Sequence, residues 1–116
     1  MANQSGELDR TFHALADPTR RTVVELLAER GTASVKELAA PFPIGLPTFL
    51  KHLKVLEDSG LVSSEKTGRT RICRIHTGRL GEVELWLSRR RTAVDDQLDS
   101  FSTYVETIHR TKGEQA

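Results

Sequence analysis

Residues 46–76 read LPTFLKHLKVLEDSGLVSSEKTGRTRICRIH, and the hydrophobic period changes halfway along. In the first part Phe49, Leu53 and Leu56 recur at helical spacing on one face, while Thr48, Lys51, His52 and Val55 fall on another. Pro47 suits a first helical position, and Gly60 suits the stop after a last turn. The second part holds two short runs, residues 61–66 and 69–76, rich in Val, Ile, Thr and Ser. Thr67-Gly68 between them predicts a two-residue hairpin turn. The stretch is thus a helix with an apolar side and a partly cationic side, followed at once by a basic β-hairpin.

Working outward, Asp17-Pro18 predicts an N-cap and a proline at the first helical position of another helix. Val23, Val24 and Leu27 form its inward face, and Gly31 ends it. Before it, Leu8, Phe12 and Leu15 lie at i, i+4 and i+7 and predict a shorter helix. Ser34-Val35-Lys36-Glu37 fits a capping box that opens a very short helix with Leu38 inward, and Pro41 and Pro43 break the chain after it. Downstream, Thr77 predicts the cap of a long last helix over about residues 79–109. Leu80, Leu87, Val94, Phe101 and Ile108 recur every seven residues, thickened by Val83, Leu98, Tyr104 and Val105. A stripe of that length exceeds what so short a monomer can cover, and a second copy is the simplest partner. Packing on the first helix is the bland alternative. The expected fold is mainly α with a small β-hairpin: a winged helix-turn-helix of order ααααββα, self-associating through its last helix. Residues 1–6 and 111–116 are expected to be disordered, flanking one domain over 7–110.

Composition narrows the classes. The chain has 116 residues, 17 basic and 16 acidic side chains, 37% apolar residues and one cysteine. That suits a single folded domain, too apolar and too balanced for a disordered chain. One cysteine makes no internal disulfide, and no apolar run reaches the length of a membrane span. The N-terminus has no basic start followed by an apolar stretch, so a cytoplasmic protein without membrane attachment is expected. The near-neutral total hides an asymmetry: residues 61–91 carry 8 basic and 3 acidic side chains, net +5. That excess lies on and after the hairpin. A helix fits the major groove of duplex DNA, and a basic hairpin follows the backbone or reaches the minor groove. Its arginines would meet phosphates, while side chains on the exposed helix face read base edges.

The stretches FHALADPTRRTVVELLAERG, SVKELA, LPTFLKHLKVLEDSGLV and TGRTRICRI resemble bacterial ArsR/SmtB-type transcriptional regulators. The pair LADPTRR and KHLKVLEDSGLV is highly specific for that family, and the resemblance covers about residues 8–90. It implies a homodimeric winged-helix repressor that binds an inverted-repeat operator in double-stranded DNA, often near its own promoter. Carried over by position, it assigns Thr48, Lys51 and His52 to the recognition surface, Lys54 to a phosphate, and Arg69, Arg71 and Arg74 to the wing. The terminal helices would supply the dimer interface, with Leu8, Phe12, Leu87, Val94, Leu98, Phe101 and Val105 as its apolar residues. The chain departs from the family pattern where many members carry Ser-Gln, here Gly45-Leu46, and where they carry Ser, here Leu50. Leu46 and Leu50 donate no hydrogen bond; they pack inward or touch thymine methyls.

The family is known for metal sensing, but the Cys-x-Cys motif of its thiolate sensors is missing around residues 34–38. On the last helix Glu106 and His109 share a face, two ligands being too few for a closed site, even with His13 as a further candidate. No metal, no cofactor and no catalytic residues are therefore expected. Cys73, between Ile72 and Ile75, reads as a small apolar filler; nearby Arg71 and Arg74 keep a redox role open. Arg89-Arg90-Arg91 read as a solvated collar, or as extra phosphate contacts. The alternatives to a plain repressor are a metal- or redox-responsive sensor of the same family and a protein-interaction module with an idle wing.

Overall fold

The computed structural model describes residues 4–115, with side chains described for 6–111. The elements are α1 (Gln4–Leu15), α2 (Pro18–Arg30), β1 (Thr32–Ser34), α3 (Val35–Ala39), α4 (Leu46–Asp58), β2 (Val62–Thr67), β3 (Thr70–Ile75) and α5 (Thr77–Gln115). One compact unit ends at Val83 and a second begins at Glu84. The observed order is therefore ααβααββα, one strand more than expected. Helical structure also reaches further at both ends, from Gln4 and to Gln115; the outermost residues expected to be disordered, 1–3 and 116, lie outside the described residues.

Local signals set most boundaries in the first unit. Asp17 caps α2 by accepting from the Arg20 backbone N–H (3.0 Å), with Pro18 opening the helix. Gly31 closes α2 with φ 80 and donates its N–H to Leu27 O (2.7 Å). At α3 the reciprocal capping box is complete: Glu37 N donates to Ser34 Oγ (3.1 Å) and Ser34 N to Glu37 Oε1 (3.3 Å). Leu46 and Pro47 open α4 without a side-chain cap, because Gly45 has none to offer.

The sheet is antiparallel in the order β1-β3-β2. β1 was not expected because three residues, Thr-Ala-Ser, carry no readable period; pairing with Arg74, Cys73 and Ile72 makes them a strand. The hairpin turn also falls one residue later than expected. Thr67 pairs with Thr70, so Gly68 and Arg69 form the loop. Gly68 takes φ 64 and Arg69 does not, so glycine holds the first central position, as in a type II′ turn. Thr77 is the first residue of α5 rather than its cap, since His76 still donates its N–H to Leu61 O (2.8 Å) as an extension of the strand pairing.

Leu27 from α2, Leu38 from α3, Phe49 and Leu56 from α4, Leu61, and Cys73 from β3 are fully buried and meet in one core. Each large side chain there contributes about 1.5–3 kcal/mol by leaving water. Phe42 stacks on Phe49 at 5.8 Å, which ties the loop after α3 to α4. On α1 the buried residues are Thr11 and Ala14; Leu8 and Leu15 are half-buried and Phe12 is 37% exposed. Small residues let the helix approach closely, and Thr11 meets its own polar need by donating to Glu7 O (3.0 Å). In the second unit, α5 leaves Leu87, Val94, Leu98, Phe101 and Tyr104 exposed along its length and Val105 half-buried. No helix among the described residues is long and apolar enough to cross a membrane.

Candidate nucleic-acid interface

The amphipathic pattern of α4 does the first positioning. Phe49, Leu53 and Leu56 are buried, which turns Pro47, Thr48, Lys51 and Lys54 outward. Lys54 Nζ pairs with Asp58 Oδ1 at 3.5 Å across one exposed turn, a link too weak and solvated to hold the amine away from a phosphate. Leu46 and Leu50 are 53% and 42% exposed, so of the two readings of these residues inward packing is the one that fails.

His52 is half-buried. It lies on the flank of α4 beside α2, where Arg20 Nη1 donates to its Nδ1 (3.2 Å) and Asp17 Oδ2 stands 3.7 Å away. Its position three residues after Phe49 and one before Leu53 puts it at the edge of the buried stripe, next to the exposed Lys51, so one side of the ring packs on α2 while the rest is half-exposed. Arg20 does more than hold the imidazole. Its Nε donates to Ala14 O (2.8 Å) and its Nη2 to His13 O (3.0 Å), satisfying carbonyls at the end of α1. Asp17 and Arg20 thus clamp the α1–α2 corner to the side of α4. Sequence reasoning missed this role, although Asp17-Pro18 gives a cap signal at the same corner. The backbone N–H of Arg20 holds the Asp17 carboxyl below its usual value; burial opposes that, and the positive charge of Arg20 reinforces it.

On the hairpin, alternation decides where each arginine goes. Cys73 is buried on the core side of β3, so Arg71 shares that side and Arg74 takes the other. Arg71 Nη1 donates to Ser64 Oγ (2.9 Å), and Ser64 Oγ donates to Glu57 Oε1 (2.7 Å), so a relay joins the hairpin to the last turns of α4. Neither Ser64 nor Glu57 carried a signal in sequence, since their meeting depends on the β2–β3 register. Arg74 lies beside Ser63, Glu65 and His76 on the opposite face, and Arg69 sits in the exposed loop. The three arginines expected to act together are therefore distributed over the tip and both faces. A groove of about 990 Å³ separates the tip from α3 and the start of α4; Lys36, Ile44, Leu46, Arg69, Arg71 and Ile72 are among its lining residues.

Cys73 is fully buried. Burial, with a smaller push from the Glu57 carboxylate and against the pull of Arg71, raises its thiol to about 11. The neighbouring arginine does not produce a reactive thiolate, contrary to the opening for redox sensing. Among the described residues, no three His, Cys, Asp or Glu side chains gather as a metal site. Trp86 on α5 carries the Arg90 guanidinium over its ring at 5.4 Å, so one member of the arginine triplet is engaged within its own helix.

Residues 15–65 match a family model described as a helix-turn-helix domain. An HTH-type transcriptional regulator of Mycobacterium tuberculosis is 40% identical over 81 residues, covering 70% of this chain and 75% of the relative. A solved structure of an ArsR family transcriptional regulator is 45% identical, with a TM-score of 0.75 over 82% of this chain and 97% of that one. A homodimeric winged helix-turn-helix DNA-binding domain from Mycobacterium bovis, described as a possible ArsR-family regulator, is 27% identical, with a TM-score of 0.59 over 84% and 94% of the two chains. The element order, the exposed face of α4 beside a basic hairpin, and this likeness in sequence and in space lead to one conclusion: the chain belongs to the ArsR family of winged helix-turn-helix transcriptional regulators.

Proposed function

We propose that the chain binds double-stranded DNA as a homodimer and represses transcription from promoters carrying its inverted-repeat operator, its own promoter included. One observation carries this reading: α4 turns Thr48, Lys51 and Lys54 outward on the same unit that holds a hairpin bearing Arg69, Arg71 and Arg74. Thr48 and Lys51 read base edges near the start of the recognition helix. Lys54, Arg69 and Arg71 neutralise phosphates beside that groove, and Arg74 meets the backbone from the outer face of the wing. His52, at the edge of the same face, is a further candidate contact, and it also packs α4 against Asp17 and Arg20. The relative described as a homodimeric DNA-binding domain supports the same assembly here. The exposed stripe Leu87, Val94, Leu98 and Phe101, with Val105, pairs with that of a second copy, and Leu8 and Phe12 add the share of α1. Two recognition helices then enter major grooves about one helical turn apart. A dimer seated over a promoter excludes polymerase, which is repression without further chemistry. The protein works in the cytoplasm, where its DNA is.

The test is a mobility-shift titration on the DNA upstream of the gene. Specific retardation is expected, with Thr48→Ala plus Lys51→Ala weakening it at least tenfold. Undiminished binding by that double variant would refute the assignment of α4 as the reading element.

A further inference from the structure

Exposed large apolar side chains on a surface built to meet DNA call for a reason, and three of them cluster at the start of α4. Ile44 precedes the helix and is 38% exposed, and Leu46 and Leu50, at i and i+4, share one of its faces. Both leucines lie on the side toward the hairpin: Leu46 lines the groove it shares with Arg69 and Arg71, and Leu50 lines a smaller hollow with Lys54 and Arg71. Apolar points ringed by Lys51, Lys54, Arg69 and Arg71 fit a partner that is anionic overall yet offers isolated apolar groups. In the major groove of DNA the apolar group presented at base edges is the C5-methyl of thymine.

We infer that Leu46 and Leu50 are specificity-determining residues that read thymine methyls, so that each operator half-site carries T·A pairs at the steps they face. The inference rests on the DNA-binding reading above and adds the chemistry of recognition. Leucine makes no hydrogen bond, so it rejects a wrong base by leaving its own methyls against a polar edge and accepts thymine by excluding water from two apolar groups. Thr48 and Lys51 keep the hydrogen-bonding share of the readout.

The experiment uses the full-length protein. A duplex is first selected from a randomised pool. Each thymine of that duplex is then replaced by deoxyuridine, which removes the methyl and leaves every hydrogen bond in place. Affinity is measured by fluorescence anisotropy for the wild type, Leu46→Ala and Leu50→Ala. Wild-type binding is expected to weaken about fourfold for a critical thymine in one half-site and about fifteenfold when both half-sites are changed. Leu50→Ala or Leu46→Ala should each become indifferent to deoxyuridine at its own position while remaining sensitive at the other's. Wild-type affinity that stays within twofold on a fully uracil-substituted duplex overturns the inference and leaves the DNA-binding reading standing. Full deoxyuridine sensitivity in both alanine variants also overturns it, by assigning the methyls to other side chains. Failure to enrich any duplex overturns both readings together.

Discussion

Asp17 joins a local duty to a distant one. Its carboxylate caps α2 and stands beside the imidazole of α4, and the Arg20 backbone N–H keeps it ionised further into acid than a free side chain. Because its folded pKa is below the unfolded value near 3.8, the stabilisation is complete above about pH 4 and is lost as pH falls through the folded pKa. Thermal melts between pH 5 and pH 3 should therefore show a smaller drop for Asp17→Asn than for the wild type. Asp17→Ala removes the cap and should cost about 1 kcal/mol at neutral pH, read by denaturant unfolding. Cys73 gives the opposite kind of prediction. With its thiol raised to about 11 and its side chain buried, it should react with an aromatic disulfide reagent at pH 7.5 only as fast as the protein opens. Prompt stoichiometric labelling of the folded protein would restore the redox reading.

At the scale of the element, the hairpin depends on one backbone conformation. Gly68 takes φ 64, and a Cβ built there meets nothing within 4 Å, so Gly68→Ala carries a backbone cost of about 1–2 kcal/mol and no clash. The melt should fall by that amount, and DNA affinity should fall further than the melt alone explains, since the loop that carries Arg69 loses its geometry. The wing arginines have their own signature. Arg69→Ala and Arg74→Ala should each lower the slope of log affinity against log salt by about 2 per bound dimer, one for each protomer. Helix α4 is held from both flanks, by Arg20 through His52 and by Arg71 through Ser64 and Glu57. Its angle relative to the wing is thus a property of side chains that need touch no base.

For the molecule as a whole, the question is what covers α5. Leu87, Val94, Leu98 and Phe101 stand half-exposed or more on a helix of 39 residues, and burying the remaining exposed part of each would contribute about 1–2 kcal/mol. Placing a charge in that stripe, as in Phe101→Glu or Leu98→Glu, should give a monomer by sedimentation at micromolar concentrations. The core of the first unit uses neither residue, so its secondary structure should survive by circular dichroism. Operator affinity should fall by about 10²–10⁴, because the second half-site would no longer be bound at high effective concentration.

Sequence by itself determined what depends on neighbours along the chain. The caps at Asp17 and Ser34, the stop at Gly31, the buried face of Phe49, Leu53 and Leu56, and the presence of a hairpin all follow from spacings of a few residues, where local hydrogen bonds and period fix the outcome. Tertiary structure decided what depends on elements distant in sequence. Thr32, Ala33 and Ser34 become a strand only because β3 offers them a ladder. Arg20 meets His52 across thirty-two residues of sequence, a contact that no local spacing announces. Arg71 and Arg74 part company because Cys73 between them is drawn into the core. Leu46 and Leu50 were ambiguous as letters, since an apolar residue near a helix edge serves equally as core or as surface; packing resolved them by filling the core without them. Local chemistry chose the elements, and long-range packing chose which of their side chains remain available to a ligand.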